Sequence, residues 1–461
     1  MRIVLRNARW VHTGHELLEQ AHVVVSEGRI EAVSQARVHG DEEIDLSGCL
    51  LAPGLISLHH HFFQHVTRAW PGAHRAGSED WLVRLYPAWA HMTPDDVAAA
   101  ARNAAAELLL SGTTTAVDHA FRLPGEALAA QIEAVTQLGL RLHLVRSGLP
   151  GLGQRVESRL SPVALHALID DEKAWLAQCR ADLRRWHDAS SGAMLRLDLG
   201  PSNVPYDKPG LMRACAELAG EYDCGLHAHY HPRPAERDQC RRLHGVEPLK
   251  LLEQAGWLRA GTWFAHCTEL DDAEIERFAA SGVGIAHCPR TVLRLGYRIP
   301  RLHEWRRAGV RVGIGADGGA SNDGGAFIAD VRLALLLNRA NNPDAATWLA
   351  PEDAMAMATR EAAAILRRPE LGAIVPGMRA DLAAFDVSGL DCAGSLRDPL
   401  AGLLLAGTGT RAYMTMVNGR LCVRDGRLVT GDEGKIAAET NARNAALSDR
   451  VLRSGGAATR A

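Results

Sequence analysis

Three consecutive histidines, His59-His60-His61, close an apolar run that extends from Leu50 to Leu58. In an extended strand alternate side chains share a face, so His59 and His61 point into one pocket while His60 points elsewhere. Two imidazoles presented that way can hold a divalent metal from one side. The remaining ligands must come from other strand ends.

Between about residues 51 and 323 the chain repeats one rhythm: a helical stretch ends at glycine, and a short β-rich run ends in polar or ionisable residues. Thr93-Pro94-Asp95-Asp96 starts a helix, with Thr93 as N-cap, Pro94 in the first turn and acids beside it. That helix runs to Leu110 and stops at Gly112, where the strand Thr113–Val117 begins and leads to Asp118-His119. The same pattern predicts strands at Leu55–His61, Leu140–Val145, Leu195–Leu199, Gly225–His231, Trp263–Cys267, Val283–Cys288 and Val312–Asp317. Eight β/α units imply an α/β fold with a closed parallel (β/α)8 TIM barrel, whose reactive groups sit at the C-terminal strand ends.

The flanks read differently, as short alternating strands with turns at Glu27-Gly28, Asn418-Gly419 and Asp425-Gly426. They predict a small β-sandwich-like domain built from both termini, residues 1–52 and 372–430. The barrel occupies 53–371, and a helix with a frayed tail occupies 431–461.

Collecting the strand-end residues gives His59, His61, His229, His266, His287 and Asp317. Three neutral imidazoles (His59, His61, His229) and the Asp317 carboxylate suit one divalent metal, Zn²⁺ first, with Fe²⁺ or Mn²⁺ as alternatives. Such an ion lowers the pKa of water towards about 7. Asp317 can both bind metal and take a proton, and His266 can orient the water or polarise a substrate. His60 reads as packing or as support for a ligand.

Composition narrows the partners. A net charge of −3 argues against nucleic acid and against a basic membrane anchor, and no apolar run is long enough to span a bilayer. Nine scattered cysteines without a Cys-x-x-Cys pair point to reduced thiols and a cytoplasmic home. Zincin, serine-hydrolase and cytidine-type deaminase motifs are absent. The expected partner is a small molecule, and homo-oligomerisation is left open.

The segments Pro53 to Gln64, Asp80 to Pro87, Glu107 to Thr115, Phe264-Ala265-His266, Ala286-His287-Cys288-Pro289 and Gly315 to Asp323, with Gly372, Pro376-Gly377 and Ala380-Asp381-Leu382, carry a resemblance. Together they resemble the amidohydrolase superfamily over nearly the whole chain, closest to the branch of 8-oxoguanine deaminase and hydroxydechloroatrazine ethylaminohydrolase. The resemblance implies a mononuclear metal and hydrolytic removal of an amine or similar leaving group from a heterocycle. It also implies that Gln64 hydrogen-bonds a ring carbonyl. Trp81 lies in a long aromatic insertion, Phe62 to His91, that either packs on the barrel or closes over a flat substrate. His119, Arg146 and His287 are further candidates for substrate contact.

One departure stands out. The family carries a proton-shuttling Glu three residues after the strand-five ligand, where this chain has Pro232. Three residues can compensate: His231, which a continuing strand would place on the same face as His229, the following Glu236, and Tyr230. His231 is the favoured replacement acid/base. The expected function is therefore metal-dependent hydrolysis of a C–N bond in a small cyclic nitrogen compound. A metal-dependent lyase or ring-forming reaction is the alternative, and a non-catalytic binding protein comes third.

Overall fold

A computed structural model describes residues 1–120, 125–150, 166, 168–231 and 233–454. Pro232 and the Gly151/Gly153 pair lie outside the described residues. Eight parallel strands form one sheet: Leu55–Ser57, Thr113–Ala120, Arg141–Arg146, Leu195–Leu199, Leu226–Tyr230, Thr262–His266, Gly284–His287 and Arg311–Ile314. The first and eighth are joined where Leu58 N–H donates to the Ile314 carbonyl at 2.9 Å. Above that point His60–His61 pairs in parallel with Asp317–Gly318. The sheet thus curls into a barrel with helices around it, the arrangement the β/α rhythm predicts.

The histidine run differs from a single continuous strand. It is split into Leu55–Ser57 and His60–His61, with Leu58 and His59 bridging to the eighth strand. Gly54 precedes the split because the backbone there lies against Thr114: a Cβ on Gly54 would fall 2.2 Å from the Thr114 methyl. The helix Pro94–Leu110 starts as the sequence predicts, with a full capping box between Thr93 and Asp96.

A second, nine-stranded sheet takes strands from both ends of the chain, with Cys49–Pro53 antiparallel to Leu382–Asp386 at the junction. Its hairpins turn at Glu27-Gly28, Asn418-Gly419 and Asp425-Gly426, where both central residues have positive φ. That backbone matches the right-handed twist of the flanking strands. Among the described residues no helix is long and apolar enough to cross a membrane.

Sheet and barrel are tied by one buried ion pair. Arg141, on the third barrel strand, donates from Nε and Nη2 to the two oxygens of Asp381 at 3.0 and 2.8 Å, and from Nη1 to the carbonyls of Gly192 and Ala193. Asp381 also accepts the Asn418 N–H, so it anchors the last hairpin too. Replacing Arg141 by Met strands a buried carboxylate, and breaking such a pair costs about 3–5 kcal/mol. Urea denaturation of Arg141→Met should show a loss of that size; a loss below about 1 kcal/mol would mean the pair does not tie the two units.

Candidate metal centre and substrate cleft

The site sits where strands one, five, six and eight end. His59 and His61 face each other with ring centroids 4.7 Å apart, while His60 turns the other way against Phe62 and His65. This is the two-residue alternation of an extended backbone. From strand five the His229 ring stacks 5.2 Å from His61 and 5.4 Å from His266. Asp317 Oδ1 lies 3.5 Å from Nε2 of both His59 and His61, and its Oδ2 lies 4.0 Å from His266 Nε2. His266 and Asp317 both have left-handed φ, 74° and 61°. Such backbone strain in non-glycine residues is typical of functional sites.

The proton on each imidazole is fixed by what its far nitrogen touches. His61 Nδ1 donates to the His119 carbonyl at 2.9 Å and His229 Nδ1 to the Ser202 carbonyl at 2.5 Å. His227 Nδ1 donates to the Trp263 carbonyl at 2.8 Å, which leaves its Nε2 to accept from His59 Nδ1, also at 2.8 Å. A neutral imidazole has one N–H. All three Nε2 atoms are therefore bare lone pairs, and those of His61 and His229 face each other at 3.1 Å. His59 Nε2 is buried without a hydrogen-bond partner.

Protonation is no escape. Burial lowers His59 to about 4 despite the nearby Asp317 carboxylate. Burial, followed by the neighbouring His119 and His59 rings, pushes His229 well below its ordinary value. Asp317 is buried against the same rings, its Oδ1 facing the bare Nε2 atoms of His59 and His61. Three converging lone pairs and an anion repel one another unless a cation lies between them. The donor set of His59, His61, His229 and Asp317 fits a divalent metal of borderline softness.

Beside these residues opens a cleft. Its wall carries five aromatic side chains, Phe63, Trp81, Tyr86, Trp89 and Tyr297, and among the described residues it contains no Lys or Arg. Trp81 Nε1–H donates to the Ala320 carbonyl at 2.9 Å, which fixes the indole in the wall. Gln64 Oε1 accepts the Ala320 N–H at 3.2 Å, so its NH2 is the end left to donate. The Gln64 amide lies so close to Gly318 that a Cβ there would stand 2.0 Å from Oε1. His119 also lines the cleft, its ring 4.8 Å from that of His229.

Three expected residues are not brought into the cleft wall. Arg146 is buried in an ion pair with Asp182 at 2.8 Å, on the helix Glu172–Trp186. His287 is fully buried, and burial lowers it to about 3. Strand five ends at Tyr230, and His231 takes φ +46°, which breaks the alternation that would have put it beside His229. Its ring instead packs on Tyr230, with Nε2 3.4 Å from Glu274. Cys267 and Cys288 are buried thiols pushed well up by that burial, as packing residues are. His227 was not singled out by the sequence reading, although it lies two residues before His229 and alternation alone puts it on the inward face.

Comparison with known proteins agrees with this geometry. The amidohydrolase family pattern matches residues 50–422. The chain belongs to the amidohydrolase family. This amidohydrolase is 36% identical over 453 residues to the 8-oxoguanine deaminase of Pseudomonas aeruginosa, covering 97% of this chain and 99% of the relative. It is 33% identical over 407 residues to the hydroxydechloroatrazine ethylaminohydrolase of Pseudomonas sp. strain ADP, covering 86% and 83%. The zinc-complexed atrazine chlorohydrolase of Arthrobacter aurescens TC1 superposes with a TM-score of 0.89 at 33% identity, covering 96% of this chain and 100% of the other. The family, the fold and the class of hydrolase are thereby shown, and the names of these relatives do not favour the lyase or ring-forming alternative.

His227 supplies a direct check on the proton arrangement. Replacing it by Phe removes the acceptor that keeps the His59 proton on Nδ1. Loss of such a supporting partner typically weakens metal binding 10–100-fold. Competition against a zinc-chelating dye should show a weakening in that range for His227→Phe; unchanged affinity would mean that His59 does not need its proton held.

Proposed function

We propose that the chain is a zinc-dependent aminohydrolase that removes an amino or alkylamino group from a neutral, planar nitrogen heterocycle. The observation that carries this reading is the set of three bare imidazole nitrogens and the Asp317 carboxylate converging on the edge of an aromatic cleft. The names of the deaminase and ethylaminohydrolase relatives support the leaving group, and the zinc-bound chlorohydrolase supports the metal. The absence of Lys and Arg from the described cleft wall favours an uncharged ring over a phosphorylated nucleotide. Nine cysteines, all unpaired and buried, support a reducing, cytoplasmic setting.

A divalent ion held by His59, His61, His229 and Asp317 would activate water and polarise the carbon under attack. Asp317, facing both His59 and His61, would take the water's proton and return it to the departing amine. His266 lies across from it and stabilises charge that develops on the substrate. Trp81 and the neighbouring aromatic rings stack on the ring and exclude water, Gln64 donates to a ring carbonyl, and His119 completes the wall.

Ammonia or amine release should be measured with 8-oxoguanine, isoxanthopterin and an alkylaminotriazine. At least one should be hydrolysed, chelation should abolish turnover, and added zinc should restore it. Asp317→Asn should lower kcat by about 10²–10⁴-fold. Zinc-loaded protein that releases nothing from any of the three, or turnover that survives chelation, would contradict the proposal.

A further inference from the structure

Asn203 follows barrel strand four and is bound tightly to strand five. It forms a parallel bridge with His229, and the preceding Ser202 carbonyl accepts both the backbone N–H and the Nδ1–H of His229, at 3.2 and 2.5 Å. Asn203 is 3% exposed and stands in the cleft wall. Its Nδ2 donates at 3.3 Å to Oε1 of Glu236, a carboxylate with no solvent exposure. The Arg233 guanidinium donates to the same oxygen from Nε and Nη2, at 3.2 and 2.6 Å.

A carboxylate paired with arginine only accepts hydrogen bonds. The Asn203 amide therefore cannot turn over: Nδ2 must face Glu236 and Oδ1 must face away from it. That oxygen is buried and meets no donor among the described residues. A buried acceptor left unmatched is costly, and such groups in a native fold are accounted for by water or ligand.

We infer that Asn203 Oδ1 is a specificity-determining acceptor, satisfied by a ring N–H or amino group of the bound heterocycle. Glu236 is the positioning residue that sets the polarity of the amide; it acts through Asn203 and is not in the cleft wall. With Gln64 offering a donor and Asn203 an acceptor, the cleft selects rings that carry both a carbonyl and an N–H. This deepens the aminohydrolase reading and rests on it.

Two measurements test the assignment. In a high-resolution crystal structure of the zinc-loaded enzyme, Asn203 Oδ1 should lie within hydrogen-bond distance of a cleft water. A protein donor on that oxygen overturns the inference, whether or not any heterocycle is hydrolysed. On a heterocycle that the enzyme turns over, Asn203→Leu should raise KM about tenfold while changing kcat less than about threefold. Methylating the ring N–H should cost the unaltered enzyme about the same factor and Asn203→Leu almost nothing further. Glu236→Leu should reproduce the KM effect, and Glu236→Gln, which keeps an acceptor, should restore most of it. Equal losses on methylation with and without Asn203, or a fall in kcat with KM unchanged, would overturn the inference. If no heterocycle is hydrolysed, the aminohydrolase reading fails and the crystal structure still decides the role of Asn203.

Discussion

The site depends on where three protons sit. Backbone carbonyls of His119 and Ser202 hold the N–H of His61 and His229 on Nδ1, and a Trp263–His227 chain does the same for His59. Each hydrogen bond in that arrangement joins two different barrel strands or the loops beyond them. The lone pairs converge only because the strands are parallel and in register, with His229 beside Ala265 and Tyr230 beside His266. Closure between strands one and eight then brings Asp317 over His59, through the Asp317 N–H to the His59 carbonyl. The barrel is thus a device for aligning hydrogen bonds that run away from the metal centre. What it leaves at the centre is bare nitrogen.

The cleft is assembled on the same frame from longer connections. The helix Ser78–Ala90 carries Trp81, Tyr86 and Trp89 and is held against three separate loops. Trp81 bonds the Ala320 carbonyl after strand eight, Tyr297 bonds Ser78 after strand seven, and Arg233 pairs with Glu79 after strand five. The C-terminal helix Glu433–Arg453 backs this wall. Leu447 and Val451 join the apolar cluster that includes Trp81 and Trp89, and Asn444 donates to the Val66 carbonyl. The aromatic surface that would meet a flat ring is therefore fixed by contacts from three barrel loops and from the C-terminal helix.

The barrel was legible in the sequence because its signal is local and repeated: capped helices, glycine stops and short strands ending in His or Asp. His59 and His61 were legible for the same reason, since alternation acts over two residues. His227 obeys the same rule, two residues before His229 on the inward face of strand five. Arg146 and His231 were not legible locally. Arg146 is captured by Asp182 on a following helix, and His231 is turned by a left-handed backbone towards Glu274, forty-three residues on. Asn203 shows the same limit, because its amide acquires a direction only from Glu236. Pairings across the chain, rather than residue type, decide which strand-end groups reach the cleft.

The proposed ligands of a single zinc ion are the bare Nε2 atoms of His59, His61 and His229, with Asp317. X-ray absorption at the zinc edge of the purified enzyme tests this assignment most directly. About one zinc per chain is expected, in a shell of nitrogen and oxygen at about 2.0–2.2 Å, with imidazole scattering and no sulfur. A sulfur shell at about 2.3 Å, or protein that binds no stoichiometric divalent metal, would contradict it.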